Sequence, residues 1–108
     1  MRPGDALKAE FPALFADAFD VSPPPGWLAL VRALSGEIAE RWPDVVVHQV
    51  KEKFGGLRFY VGNAPQECHA AISVAEATSR RTCQRCGAES AEIRGGGWLR
   101  TLCGECVK

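Results

Sequence analysis

The sequence predicts an α+β fold: N-terminal helices, a central antiparallel β-hairpin, a further helix and a small C-terminal β-ribbon. Apolar residues recur at helical spacing between residues 27 and 42, two β-rich runs flank a Gly-Gly turn, and two Cys-x-x-Cys pairs stand in the last quarter of the chain. A chain of 108 residues can form one domain with a small appended module. We therefore predict a core of residues 1–80 and a ribbon of residues 81–108, packed as one compact unit.

The N-terminal region has the apolar spacing of an amphipathic helix over residues 5–20. The residues at spacings of three and four are Leu7, Phe11, Leu14, Phe15, Ala18 and Phe19. Proline breaks a helix interior but fits a first turn, so Pro12 predicts one short helical turn ending at Glu10 and a second short helix starting near residue 12. The proline-rich residues 22–26 then predict a rigid, extended connector.

The next helix is the clearest in the chain and ends before Pro43. Its apolar stripe consists of Trp27, Val31, Leu34, Ile38 and Trp42. We expect both tryptophans to pack in the core, as large aromatic side chains usually do.

The pattern changes to β after residue 44. Residues 45–52 are rich in β-branched side chains, residues 57–61 alternate apolar with polar, and Phe54-Gly55-Gly56 supplies the turn of a hairpin. One face should turn Leu57, Phe59 and Val61 toward the helices, and the other should carry a cationic and aromatic cluster: Lys51, Lys53, Arg58 and Tyr60. Solvated sheet faces often carry such residues, and the alternative is a contact surface for phosphate or acidic groups.

A helix should follow the turn at residues 62–65, with Asn63 or Ala64 near its cap and Pro65 in its first turn. Its predicted buried face consists of Cys68, Ile72, Ala75 and Ser79. The helix leads into the first Cys-x-x-Cys pair without a linker, so we expect the ribbon to be held rigidly against it.

The four paired cysteines form the strongest motif: Cys83, Cys86, Cys103 and Cys106, with sixteen residues between the two pairs. Two such pairs are typical of a structural zinc site, in which four thiolates surround one ion and leave no open position for catalysis. Gly87 and Gly104 are expected to relieve the two tight turns.

Two short strands, in residues 91–94 and 98–102, should form the ribbon around the glycines at 95–97. Trp98 should cover the small core of the ribbon, with an exposed aromatic anchor for a partner as the alternative.

The chain carries thirteen basic and thirteen acidic residues, which argues against a whole surface built for nucleic acid. The charges are uneven: residues 1–44 have net charge −3 and residues 80–108 have +3, which four thiolates on Zn²⁺ would reduce to about +1. No secretory segment or membrane-length apolar run is visible, and Cys-x-x-Cys pairs remain thiols in a reducing compartment. We therefore expect a soluble cytoplasmic protein.

Several segments together resemble a group of small uncharacterised proteins from phage and prophage genomes. The segments are Gly26-Trp27, the run from Gln49 to Val61 that contains KEKFGGLRFY, Ala75-Glu76, the run from Cys83 to Gly87, and the run from Gly97 to Cys103. The resemblance covers about residues 25–106 and implies a phage-type origin without an assigned activity.

Three classes of function follow. The first is a non-catalytic interaction protein that binds a host protein or complex as an inhibitor or adaptor, for example against a defence complex. The second is nucleic-acid binding through five arginines near the C-terminus, with help from Lys51, Lys53 and Arg58. The five are Arg80, Arg81, Arg85, Arg94 and Arg100. An enzyme, and with it a small-molecule substrate, is not expected.

The residues that could support catalysis do not form an evident set. His48 and His69 are the only histidines, and Cys68 is adjacent to His69. Neighbouring residues on a helix point about 100° apart, which is a poor arrangement for a nucleophile and its base. No roles follow from the sequence for these three residues.

Overall fold

The computed structural model describes residues 2–107 and confirms the α+β class. Among these residues it has three α-helices, a three-stranded sheet and a two-stranded sheet. In chain order the elements are α1 (Pro3–Glu10), β1 (Asp20–Val21), α2 (Leu28–Arg41), β2 (Val46–Lys53), β3 (Gly56–Gly62), α3 (Gln66–Ser79), β4 (Glu92–Arg94) and β5 (Arg100–Leu102).

The N-terminal region differs from its prediction after α1. Helix α1 ends at Glu10 as expected, but residues 12–17 form turns, so the predicted second helix is absent. Phe11 precedes Pro12, and its backbone leaves the helical region at φ −127° and ψ 65°, because proline disfavours a helical residue before it. Leu14 and Phe15 are buried as expected, whereas Phe19 is 74% exposed.

Helix α2 confirms the predicted apolar stripe. A short 3₁₀ turn, Pro25–Trp27, leads into it, and the helix ends at Arg41. Trp27 is fully buried, while Trp42 is half-buried beneath the Arg41 guanidinium, 4.5 Å from its ring centre. Both tryptophans therefore pack in the core as expected, Trp27 at its centre and Trp42 at its margin.

The central hairpin is also confirmed. Strands β2 and β3 pair antiparallel, with Val50 opposite Phe59 and a bulge at residue 48. A two-residue turn joins them, and both of its residues have positive φ: Phe54 at 54° and Gly55 at 80°. This is the backbone of a type I′ turn, whose twist suits a hairpin. The two residues of β1 extend the sheet by pairing parallel to β2.

Helix α3 covers the free edge of β3. The backbone N–H of Leu57 donates to Ser79 Oγ at 2.9 Å, and that of Phe59 donates to Glu76 Oε2 at 3.1 Å. The predicted buried face, Cys68, Ile72, Ala75 and Ser79, is buried throughout. The helix begins one or two residues later than expected, with Pro65 as its N-cap instead of Asn63 or Ala64, and Asn63 lies in a left-handed turn at φ 59°.

The main core lies between the helices and the three-stranded sheet. Its largest fully buried side chains include Leu7, Trp27, Val31, Ile38, Val47, Val50 and Leu57. A second, smaller core sits in the ribbon and consists of Cys83, Ala91, Leu102 and Cys103. Trp98 is not part of it: its side chain is 78% exposed, so the expectation that it covers the ribbon core is wrong.

Candidate metal centre

The four paired cysteines come together at the end of the ribbon. Their sulfur atoms all lie within 4.8 Å of one another, and Cys86 Sγ is 3.6 Å from Cys103 Sγ. All are free thiols. Sulfurs bound tetrahedrally to zinc at about 2.3 Å are separated by about 3.8 Å. The cluster therefore fits one metal ion, and four sulfur donors suit zinc or iron.

Each Cys-x-x-Cys pair is folded by short backbone hydrogen bonds into a tight turn, here called a knuckle. In the first, Gly87 N donates to Cys83 O and Cys83 N to Ala88 O, both at 2.8 Å, with Gly87 at φ 85°. In the second, Val107 N donates to Cys103 O at 3.1 Å. The expectation for Gly87 is confirmed. That for Gly104 is wrong, because its backbone is not left-handed and, its two chain neighbours apart, no atom of residues 2–107 lies within 4 Å of where its Cβ would stand.

The sulfurs differ in how readily they ionise. Burial opposes ionisation of Cys83, but backbone N–H groups of Cys86 and Cys103 outweigh it and lower the Cys83 pKa to about 6. A backbone N–H at Cys106 similarly lowers the pKa of Cys103. Burial and the neighbouring thiols raise the pKa of Cys106 to about 12. Four crowded sulfurs thus cannot all ionise by themselves, and a bound cation would stabilise the full set of thiolates.

The 3₁₀ turn that leads into α2 holds the first knuckle in place. Gly26 N donates to Gln84 O at 2.9 Å, and the Trp27 indole N–H donates to Thr82 O at 2.7 Å. A Cβ at Gly26 would lie 2.1 Å from Cys83 O, so only glycine permits this approach. The sequence placed Gly26 in a connector and Trp27 in the core, and gave no sign that they contact the cysteine turn.

Two buried polar residues connect the metal centre to the hairpin turn. Gln84 N donates to Thr101 O at 2.9 Å, and Thr101 N donates to Gln84 Oε1 at 3.0 Å. The Thr101 hydroxyl, fully buried, donates in turn to Gly55 O. The ribbon is thereby held against both α2 and the turn of the hairpin.

The structure brings five of the nine predicted partner-binding residues onto one surface. Residues 51, 53, 58 and 60 share the outer face of the hairpin, because the register aligns Lys51 with Arg58 and Lys53 with Gly56. Arg80 joins them: a Cβ at Gly56 would lie 3.3 Å from Arg80 Nε and 3.7 Å from an Arg58 guanidinium nitrogen. We call this surface, formed by Lys51, Lys53, Arg58, Tyr60 and Arg80, the basic hairpin face.

The other four arginines lie apart from that face or have partners. Arg94 donates to Leu102 O at 2.9 Å and forms an ion pair with Glu92 at 3.4 Å. Arg85 contacts Cys106 O beside the second knuckle, at 3.5 Å. Arg81 is exposed after α3, and Arg100 is half-buried opposite Arg94 in the ribbon. The nine predicted residues are thus divided between the basic hairpin face and the region of the ribbon.

An apolar cleft lies at the tip of the hairpin, where the ribbon loop meets it. It has a volume of about 210 Å³ and is lined by Glu52, Lys53, Phe54, Gly97, Trp98 and Leu99. We call it the tip cleft. The sequence treated Phe54 only as part of a turn. An aromatic residue where type I′ turns favour Asn or Gly is the signal that could have indicated a role for it.

The remaining candidates of the sequence analysis do not meet. Cys68 is fully buried in the main core, whereas His48 and His69 are exposed. Comparison of the chain with protein-family models, with curated proteins and with solved structures gave no match. The helices within residues 2–107 are too short or too polar to cross a lipid bilayer.

Proposed function

We propose that this chain is a non-catalytic interaction protein, stapled by one structural zinc ion, whose metal centre fixes a recognition surface. The observation that carries this proposal is the hydrogen-bonded path from the first knuckle through Gln84 and Thr101 to Gly55 in the hairpin turn. Folding of the ribbon around a metal ion would lock the tip of the hairpin and the basic hairpin face. Metal binding would thus be coupled to the shape of the surface.

A structural rather than catalytic role agrees with the donor set. Four thiolates close the coordination shell of zinc, and no ligand position is left for water or substrate. The remaining thiol, Cys68, lies in the core and is separated from the exposed imidazole of His69. The chemistry of the site therefore favours a structural role for the metal and not a catalytic one.

The metal can be identified directly. We expect elemental analysis of the purified chain to give one zinc per molecule, and we expect chelation to unfold the ribbon. Replacement with Co²⁺ should give the absorption of a tetrahedral tetrathiolate centre. Iron in place of zinc, or a metal-free chain of unchanged thermal stability, would overturn the proposal.

The resemblance to phage and prophage proteins suggests a host macromolecule as the partner. The sequence ranked a host protein first, with an inhibitor or adaptor role, and a nucleic acid second. The positions of four cations favour the opposite ranking, with a nucleic acid first and a host protein second. Lys51, Lys53, Arg58 and Arg80 share one surface, and none of them has an ion-pair partner within residues 2–107. An anionic partner would neutralise these charges, and a phosphate backbone offers the densest array of anions.

Capture from host lysate tests the interaction itself. The intact, zinc-loaded chain would be used as bait beside two variants: Lys51→Gln/Lys53→Gln on the basic hairpin face, and Arg32→Gln/Arg41→Gln on α2, which removes the same charge elsewhere. We expect a retained species, protein or nucleic acid, that the first variant loses and the second keeps. No retained species, or equal retention by all three baits, would refute a recognition role for this surface.

A further inference from the structure

The basic hairpin face places like charges next to one another. Lys51 and Arg58 are directly opposed in the β-ladder, and like charges in that position destabilise a sheet. The Arg58 and Arg80 guanidinium groups both lie within 4 Å of the point where a Gly56 side chain would stand. Three positive charges therefore lie close together on one surface, which is typical of an anion-binding site.

Three exposed aromatic rings flank these charges. Tyr60 lies at one end of the face and is 44% exposed. Phe54 and Trp98, 65% and 78% exposed, lie at the other end, in the tip cleft. Phe54 holds its place at φ 54°, a conformation that is costly for a bulky residue. The Lys53 ammonium lies 5.5 Å from the centre of the Phe54 ring, and the ring is still 65% exposed. A turn selected only for folding would carry Asn or Gly there, so the exposed ring points to a use in binding.

The arrangement favours nucleic acid over an acidic protein. Protein interfaces usually have an apolar centre depleted of charge and a polar rim. This surface has the reverse order, with cations at the centre and aromatic rings at both ends. Cations that follow a phosphate backbone, with aromatic rings on which bases stack, are the features of surfaces that bind unpaired strands. In a duplex the faces of the bases are covered by their neighbours, so such rings would have nothing to stack on.

We propose that the basic hairpin face and the tip cleft together bind single-stranded nucleic acid. Lys51, Arg58 and Arg80 contact phosphates, and Lys53 contacts the backbone as it enters the cleft. The rings of Tyr60, Phe54 and Trp98 stack on bases. The face runs over about five residues of each strand, or about 14 Å between its end rows, which suits a site at the short end of the 4–16 nucleotides that single modules cover. This inference rests on the proposed function, because the ribbon positions Trp98.

The test measures fluorescence anisotropy of a labelled twelve-nucleotide oligothymidylate titrated with the intact, zinc-loaded chain at low salt. A duplex of equal length and a labelled oligoglutamate peptide are run in parallel. We expect binding of the single strand, with log affinity falling against log salt at a slope of about −3 for four neutralised phosphates. The variant Lys51→Gln/Lys53→Gln should bind at least tenfold more weakly, and Arg32→Gln/Arg41→Gln should bind like the wild type.

The contribution of the aromatic rings to binding is measured with variants that keep the fold. Asn suits the left-handed position of residue 54, so Phe54→Asn should fold at least as well as the wild type yet bind about tenfold more weakly. Trp98→Ala should lose a similar factor, since its side chain is exposed and contributes little to the core. In the wild type, stacking on Trp98 should quench tryptophan fluorescence on binding, and the alanine variant should lose that quenching.

The outcomes separate this inference from the function on which it rests. Oligothymidylate that does not bind at low salt overturns the inference, as does duplex or oligoglutamate bound equally well. If a host protein is captured through Lys51 and Lys53 while the oligonucleotide fails to bind, the recognition role stands and the nucleic-acid inference falls. If neither the lysate nor the oligonucleotide shows binding that depends on these lysines, both fall.

Discussion

Replacing Gly26 with alanine should separate the first knuckle from the 3₁₀ turn that precedes α2. The added Cβ would lie 2.1 Å from Cys83 O, 2.7 Å from the Gln84 carbonyl carbon and 2.8 Å from Gly87 N. All three atoms belong to the backbone of a turn that closes the metal site, so none can rotate away. Relief requires movement of the whole knuckle, with loss of the hydrogen bond from Gly26 N to Gln84 O.

The expected cost follows from these contacts. Overpacking of a well-packed site costs about 1–3 kcal/mol, and loss of one backbone hydrogen bond adds about 1 kcal/mol. We therefore expect Gly26→Ala to lower the free energy of unfolding by about 3 kcal/mol, or the melting temperature by about 15 °C. Urea titration of the zinc-loaded protein, followed by circular dichroism, measures the first quantity.

Two comparisons isolate the cause. Gly96→Ala, at a loop glycine with no heavy atom within 4 Å of the added Cβ, should change stability by less than about 0.5 kcal/mol. Chelation should also shrink the effect of Gly26→Ala, because without metal the knuckle is unfolded in both proteins. A variant as stable as the wild type would refute the contact between Gly26 and the knuckle. An equal loss with and without metal would place the damage in α2 instead.

Further predictions concern the connection to the hairpin, the metal and the core thiol. Thr101→Val removes the donor to Gly55 O without changing shape, so urea titration should show a loss of about 1–2 kcal/mol; an unchanged midpoint would contradict this. Acidification should release the metal, because protons compete for the four sulfurs. A metal indicator should show this release, and the structure of the ribbon should be lost with it. Metal retained below about pH 4 would count against thiolate ligation. Burial, aided by the Glu37 carboxylate, raises the pKa of the Cys68 thiol above its ordinary 9.0. The folded chain therefore keeps a proton that the unfolded chain loses, and stability should fall as pH rises above about 9. Cys68→Ala should reduce that fall, and equal alkaline slopes in the two proteins would exclude this explanation.

Local patterns were sufficient to predict much of this fold. The stripe on α2, the tight turn of the hairpin and the buried face of α3 each follow from a pattern of a few residues, which the sequence displays directly. The spacing within each Cys-x-x-Cys pair likewise predicts a tight turn. The same reasoning failed over residues 12–17, where the apolar spacing suited a helix but Phe11 before proline could not continue one.

Contacts between distant segments could not be predicted in the same way. Strand β1 has two residues, too few to show any alternation, and exists because β2 lies beside it. Gly26 meets Cys83 across more than fifty residues of sequence. Trp98 was expected to cover the ribbon core, yet that core consists of Cys83, Ala91, Leu102 and Cys103, and the indole lies outside it, 78% exposed.

Helix α3 also limits the ways in which this molecule can recognise anything. Because Ser79 and Glu76 occupy the backbone donors of β3, a peptide cannot add to that margin of the sheet as a further strand without first displacing the helix. At the opposite margin, the two residues of β1 cover Gln49 and Val50 of β2. Strand addition along β3 is thereby disfavoured, both for a peptide ligand and for a second copy of the chain.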